Sequence, residues 1–278
     1  MSLGIILKGT EGIVLAADSR VTLFNQMPGA APNQQVMVPA TFDNATKLLK
    51  VNSQKYVAAV TFGIGAIGMT EPRTASSFMP EFESELASDK RLKVEAFAEK
   101  LSEFFMGQWK TLKMPANLPP GNEMVFLVGG YDKDQAYGNV FGFTVPSDPK
   151  PKQLIPEGQF GANWGGQREF TDRLLQGFDP NLPNVVYDIL GVAQEKRDAT
   201  LAEQLKAKLL IPIPWQFLPL QDCVDLATFI VRTTIAAQKF VVGVRGVGGA
   251  VDVATITRVD GLKEIQVKQV IGERTVLN

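Results

Sequence analysis

The chain begins with two apolar runs, LGIILK (3–8) and IVLAA (13–17), separated only by the GTEG of residues 9–12. So short a connection turns the chain back on itself. The two runs read as a hairpin, with Gly9 and Gly12 free to take the backbone angles of the turn. A second hairpin is predicted over KLLKV (47–51) and KYVAAVTF (55–62), and a closing one over 250–258 and 262–269, turned at Asp260-Gly261. Strands are also predicted at 123–130 (EMVFLVGG) and 137–144 (YGNVFGFT). Helical spacing is clearest over 92–109, where Val94, Phe97, Ala98, Leu101, Phe104 and Phe105 recur at i, i+3, i+4 and i+7. Further helices are predicted over 75–88, 168–176, about 184–209 and 221–239. In the last, Asp222 is placed to cap the N-terminus. Its apolar residues, Phe229 among them, cover more than one face, which predicts deep burial. Strands and helices therefore come in blocks, the pattern of packed sheets flanked by helices and not of an alternating βαβ array.

Residues 23–44 carry Pro28, Pro32 and Pro39 with little apolar periodicity, and read as a surface loop insertion. The stretch 210–219 reads as a Pro-rich linker between helices, since its prolines cannot continue a helix. Neither a repeat nor a low-complexity tract divides the 278 residues, so 1–278 is expected to form a single domain.

The absence of any histidine removes the Ser-His-Asp triad, the Cys-His dyad and His-rich metal sites. One cysteine, Cys223, allows no intrachain disulfide and no Cys cluster; its place on the most apolar helix makes it a core residue. Lys and Arg number 28 against 29 Asp and Glu, a balance that leaves no electrostatic footprint for nucleic acid or an anionic membrane. No apolar run approaches the roughly 18–20 residues that span a bilayer. MSLGIILKGTEG lacks the basic region and cleavage pattern of a signal peptide, so a cytoplasmic location is expected. The glycines of GVRGVGG (243–249) lack the GK[ST] ending of a phosphate loop and precede a strand; they read as a tight helix-to-strand connection.

A hydrolase without histidine needs another base for its nucleophile. Ser2 offers one, because a small second residue is expected to lose Met1 and become the terminus. Its free α-amine, which titrates near pH 8, can then take the hydroxyl proton directly or through a water.

SLGIILKGTEGIVLAADSRVT (2–22) resembles the opening of mature proteasome-type β subunits, a family of N-terminal-nucleophile peptidases, and points to a divergent bacterial or archaeal homologue. Ser2 falls where that family has its catalytic threonine, Gly12 on its turn glycine, Asp18 and Arg20 on its acid and arginine, and Thr22 on the residue closing the motif. Lys47, opening KLLKV, matches its lysine after a longer loop. GGAVDVATITRVDG (248–261) is similar to the family's last strand motif, and DCVDLATFIVRTTIAAQ (222–238) resembles the helix before it. The resemblance covers both ends well and the middle only in element order.

It implies an α+β fold, a four-layer αββα sandwich of the N-terminal-nucleophile hydrolase type. It also implies a cofactor-free, metal-free serine- or threonine-type endopeptidase, acting on peptide or protein substrates within a homo-oligomeric ring. Carried over, Ser2 is the nucleophile, Lys47 tunes its proton transfer, Asp18 orients Lys47, and Arg20 supports Asp18. A backbone N–H would stabilise the oxyanion; Gly63 matches that glycine if the hairpin is two residues longer than usual, whereas an ungapped count lands on Thr61. The sequence also departs from the pattern. FGANWGG lacks the family's serine, and Val244 and Val247 stand where it has an acid and a serine. A catalytically inactive, proteasome-like structural or binding protein is the alternative. For the ring, Met79, Phe82, Phe104, Phe105 and Trp109 are the expected contact residues, since one helical face cannot hide them all.

Overall fold

A computed structural model describes residues 2–28, 35–68, 71–86, 90–116, 118 and 121–270. The chain runs through β1 (Leu3–Lys8), β2 (Ile13–Asp18), β3 (Val21–Pro28), β4 (Gln35–Phe42), β5 (Leu48–Leu49), β6 (Val57–Gly63), β7 (Ala66–Ile67) and β8 (Arg73–Thr74). Helices α1 (Met79–Glu85) and α2 (Val94–Thr111) follow, then β9 (Met124–Gly130), β10 (Asn139–Val145), β11 (Asp148–Ile155) and β12 (Gly161–Gly166). The remainder is α3 (Glu169–Leu175), α4 (Leu182–Ile189), α5 (Thr200–Leu209), α6 (Leu220–Ala237), β13 (Val251–Thr257) and β14 (Gly261–Gln266).

The protein is a mixed α+β fold built on antiparallel sheets. One has the order β12-β1-β2-β13-β14 and the other β11-β10-β9-β6-β5. β1 and β2 are buried along their whole length, so both faces of the opening hairpin must find apolar neighbours. The period of two decides which residue meets which layer. Ile6, Ile13, Leu15 and Ala17 turn toward Ala58, Val60, Phe62 and Leu127 of the second sheet. Ile5, Leu7, Val14 and Ala16 turn the other way, onto Ala227, Ile230 and Val231 of α6. On the far face of the second sheet α2 packs across β9, β10 and β11. There Phe105 lies 4.7 Å from Phe126, which in turn stacks on Phe143 at 4.8 Å (ring centroids).

Several elements differ from the sequence reading. Residues 23–44, expected as a loop, contain most of a two-stranded ribbon in which β3 and β4 pair from Val21↔Phe42 to Pro28↔Gln35. Proline is tolerated there because neither strand has a second neighbour that needs its missing N–H. The helix expected from 184 to 209 is two helices, α4 and α5, separated at Gly191, whose φ of +65° a continuing helix cannot accommodate. β11 and β12 were not predicted. The first carries two prolines on an edge strand and the second is half glycine. In α6 the buried residues are Cys223, Val224, Ala227, Ile230, Val231 and Thr234, one face only, while Phe229 is 54% exposed. Asp222 makes no cap; the Leu220 N–H donates to Glu11 Oε2 at 2.7 Å instead. Met79, Phe82, Phe104, Phe105 and Trp109 are all buried within this one chain, between α1, α2 and the second sheet. They are therefore not available as ring contacts.

Candidate active site

Ser2 immediately precedes β1, beside the end of β2, where Asp18 lies in register with Val251 of β13. Ser2 is held from both sides. Its carbonyl accepts the Gln167 N–H at 2.8 Å, and its hydroxyl Oγ accepts the Gly63 N–H at 3.1 Å. Both contacts depend on glycine backbone. Gly63 has φ +96° and a Cβ there would sit 1.9 Å from the Glu123 carbonyl oxygen. Gly166, at φ +92°, would place a Cβ 1.8 Å from the carbonyl oxygen of Ser2 itself. Thr61, the other position open to the oxyanion donor, bonds its N–H to Lys47 O and its hydroxyl to Val125 O. The N–H that meets Ser2 Oγ belongs to Gly63.

Asp18 is fully buried and accepts from four donors: Leu3 N–H (2.9 Å) and Lys47 Nζ (2.6 Å) on Oδ1, Arg20 N–H (3.0 Å) and Gly248 N–H (2.9 Å) on Oδ2. Its negative charge is thereby placed one residue from the Ser2 hydroxyl. Lys47 is 5% exposed, and burial lowers its ammonium pKa from the ordinary lysine range, against the opposing pull of Asp18.

Arg20 is in the predicted neighbourhood but acts differently from expectation. Its backbone N–H reaches Asp18, while its guanidinium forms a two-pronged pair with Asp43 at 2.5 and 2.7 Å. That hydrogen-bonded pair raises the Arg20 pKa and lowers that of Asp43. Asp43 and Gly248 were missed by sequence reasoning. Asp43 follows the ribbon and has no spacing signal; Gly248 lay inside the recognised GG motif, which gave its position but not its role as a donor to Asp18.

Ser2, Thr22, Lys47 and Gly63 line one cavity of about 20 Å³, room for about a single water. Thr22 Oγ1, buried on this wall, has no hydrogen-bond partner. Two larger hollows flank it: one of about 350 Å³ beside Gly63 and Gln167, and one of about 600 Å³ beyond Val21 and Thr74. Cys223 lies outside the site, buried, with its thiol pushed up to about 11 by burial. Val247 is buried and gives its N–H to Gln238 Oε1, and Val244 is partly exposed; neither side chain can bond an amine. Among the described residues no group of three or more His, Cys, Asp or Glu side chains could hold a metal ion, and no helix is long and apolar enough to cross a membrane.

Just before β1, the Ser2 hydroxyl thus meets a backbone N–H and lines one cavity with Lys47, the cation of a buried Lys–Asp pair. Among solved structures, the chain is similar to the Anbu (Gly-1) mutant from Hyphomicrobium sp. strain MC1, at 11% identity and a TM-score of 0.51, covering 95% of this chain and 87% of that one. Anbu is a proteasome-like protein, and the likeness supports a proteasome-like fold. No family model matches the chain, and no curated protein matches it.

Proposed function

We propose that this protein is an N-terminal-nucleophile peptidase or related amidohydrolase of proteasome type, and that its two sheets with α2 and α6 outside them are the four-layer αββα sandwich of that class. The observation that carries the reading is the Ser2 hydroxyl, 3.1 Å from the Gly63 N–H, with Asp18 and Lys47 beside it. In the reaction, removal of Met1 frees the α-amine, which takes the hydroxyl proton as Oγ attacks the substrate carbonyl. The Gly63 N–H then faces the developing oxyanion, and the charged Lys47 lowers the cost of forming the alkoxide. The leaving amine takes the proton, an ester on Ser2 remains, and water releases it. Activity should rise with pH as the α-amine, near pH 8 when unperturbed, loses its proton.

Intact mass comes first, because a retained Met1 removes the base. With the amine free, Ser2→Ala should abolish peptide hydrolysis, Ser2→Thr should keep it, and an acylating inhibitor should add mass to the first peptide. Equal cleavage by Ser2→Ala and the parent would sink the assignment.

A second reading, a non-catalytic proteasome-like binding protein, is favoured by the water-sized cavity beside Ser2 and by Val244 and Val247 where amine partners are expected. A ring of identical chains belongs to either proposal. Exposed apolar residues that could serve it include Val185, Ile189 and Leu190 at α4 and Leu209, Leu210 and Ile211 at the end of α5.

A further inference from the structure

Behind the Ser2 site lies a second buried ion pair that the mechanism above does not use. Asp252 on β13 is 2% exposed, and Lys268, two residues beyond the end of β14, gives it both its Nζ and its backbone N–H, the latter at 3.0 Å to Oδ1. The pair is tied to the site by Ser19, which follows Asp18. Ser19 Oγ donates to the Ala250 carbonyl at 2.8 Å and to Asp252 Oδ2 at 3.4 Å, and Ser19 N–H donates to Gly248 O, the residue whose own N–H holds Asp18. Two carboxylates and two ammonium groups thus share one interior region, and the charges sum to zero only while Lys268 is docked. We propose that Lys268 is a positioning residue for the Ser2 site, neutralising Asp252 so that Lys47 stays committed to Asp18 instead of being shared between two carboxylates.

Lys47 contacts Asp18 from β2 and lies within the electrostatic reach of Asp43 from the segment before β5, Asp252 from β13 and Lys268 from the segment after β14; Arg20 is occupied by Asp43. Take away Lys268, and Asp252 becomes a buried anion with no cation bound to it among the described residues, and its field acts on the Lys47 ammonium. A lysine drawn between two acids holds its proton more tightly and sits off its line to Asp18, and misplacement of about 1 Å at a reacting centre costs up to about a hundredfold in rate. The inference rests on the proposed nucleophilic role of Ser2 for its catalytic meaning, but its electrostatic core does not.

The test is therefore read on Lys47 itself. The ¹³Cε resonance of Lys47, assigned by comparison with Lys47→Met, is titrated by NMR in the full chain. Lys268→Met should move the titration to higher pH, and Lys268→Arg should restore it. Asp252→Asn should move it to lower pH, because the acid is gone and Lys268 remains. The Asp252→Asn/Lys268→Met double variant, which buries no unpaired charge and so should fold where Lys268→Met alone fails, should return close to the parent. An unchanged Lys47 titration in every folded variant would overturn the proposal, whatever their activity. In an active parent, peptide turnover should fall about tenfold or more in Lys268→Met and recover in Lys268→Arg. A Lys47 shift with no loss of turnover would confine the coupling to electrostatics and refute the positioning role.

Discussion

Asp18→Asn is the perturbation whose consequences the structure specifies most closely. The carboxylate accepts four donors on two oxygens, each oxygen taking two. An asparagine keeps one oxygen and replaces the other with an NH2 group, so whichever way the amide turns, two donors face a donor. If the NH2 replaces Oδ1, it meets Leu3 N–H and Lys47 Nζ; if it replaces Oδ2, it meets Arg20 N–H and Gly248 N–H. Each stranded buried donor costs about 1–3 kcal/mol. Lys47 meanwhile loses the one counter-ion it touches among the described residues while 5% exposed, and breaking a buried pair from one side costs about 3–5 kcal/mol. These costs overlap, so the expected loss is about 4–6 kcal/mol, a large part of the 5–15 kcal/mol of a typical domain. The penalty should depend on pH in a defined direction. Without Asp18 the folded-state pKa of Lys47 falls further below its unfolded value, so stability is recovered as pH rises through that lowered folded pKa toward the unfolded one. Lys47→Met on the Asp18→Asn background removes the stranded ammonium and should return several kcal/mol. The measurement is urea unfolding of the parent, both singles and the double between pH 6 and 10, analysed as a double-mutant cycle. A loss below about 1 kcal/mol in Asp18→Asn, or a double variant no better than it, would refute the account of this pair.

Gly63→Ala should fail twice over, because its Cβ would meet Glu123 O at 1.9 Å and its φ is +96°; a loss above about 2 kcal/mol is expected in urea unfolding, with turnover reduced at least a hundredfold in an active parent. Lys8 is fully buried, its Nζ donating to Pro156 O at 3.0 Å, and burial lowers its pKa despite Glu157 nearby. Lys8→Met should therefore stabilise the protein by about 1 kcal/mol, raising Tm by about 2–4 °C in calorimetry, and should flatten the alkaline rise in stability that the parent owes to this lysine. Sedimentation should find an assembly at micromolar concentration, and Ile189→Lys with Leu210→Lys should dissociate it; a monomeric parent removes the ring.

How much of this could be read beforehand differs by element for physical reasons. The opening hairpin, α2 and the β13–β14 hairpin announced themselves because their burial follows a period that sequence displays. β12 did not, since its glycines look like a breaker's composition. Gly165 is there for Phe62: a Cβ on it, or on Gly4 in the paired strand, would come within 2.4 or 2.5 Å of the ring, while Gly166 makes room for the Ser2 carbonyl. β11 alternates poorly because it is an edge strand with β10 as its partner, so lysines and prolines cost it little. The burial of α6 was overestimated because apolar composition does not say how many faces find a neighbour, and Phe229 is left 54% exposed.

At the site the same distinction separates side chains from backbone. Ser2, Asp18 and Lys47 were legible because chemistry selects their side chains at positions a motif can carry. What holds them is mostly main chain: the N–H groups of Leu3, Arg20, Gly63 and Gly248, each aimed by local conformation and, at Gly63, by a positive φ. A sequence records such donors only as permission, by the absence of a side chain. That is why Gly63 and Thr61 could not be separated by counting residues, yet are separated at once by geometry. The same limit explains Arg20. Its place beside Asp18 was predicted, but the guanidinium was free to choose any acid within reach, and Asp43, brought in by a ribbon of unpredicted shape, is the one it meets. Asp18 consequently has a single cationic side chain in direct contact, Lys47, among the described residues. The working charge of the site therefore hangs on whether Lys47 is pulled elsewhere, which makes the state of Asp252 a matter for Ser2 as well.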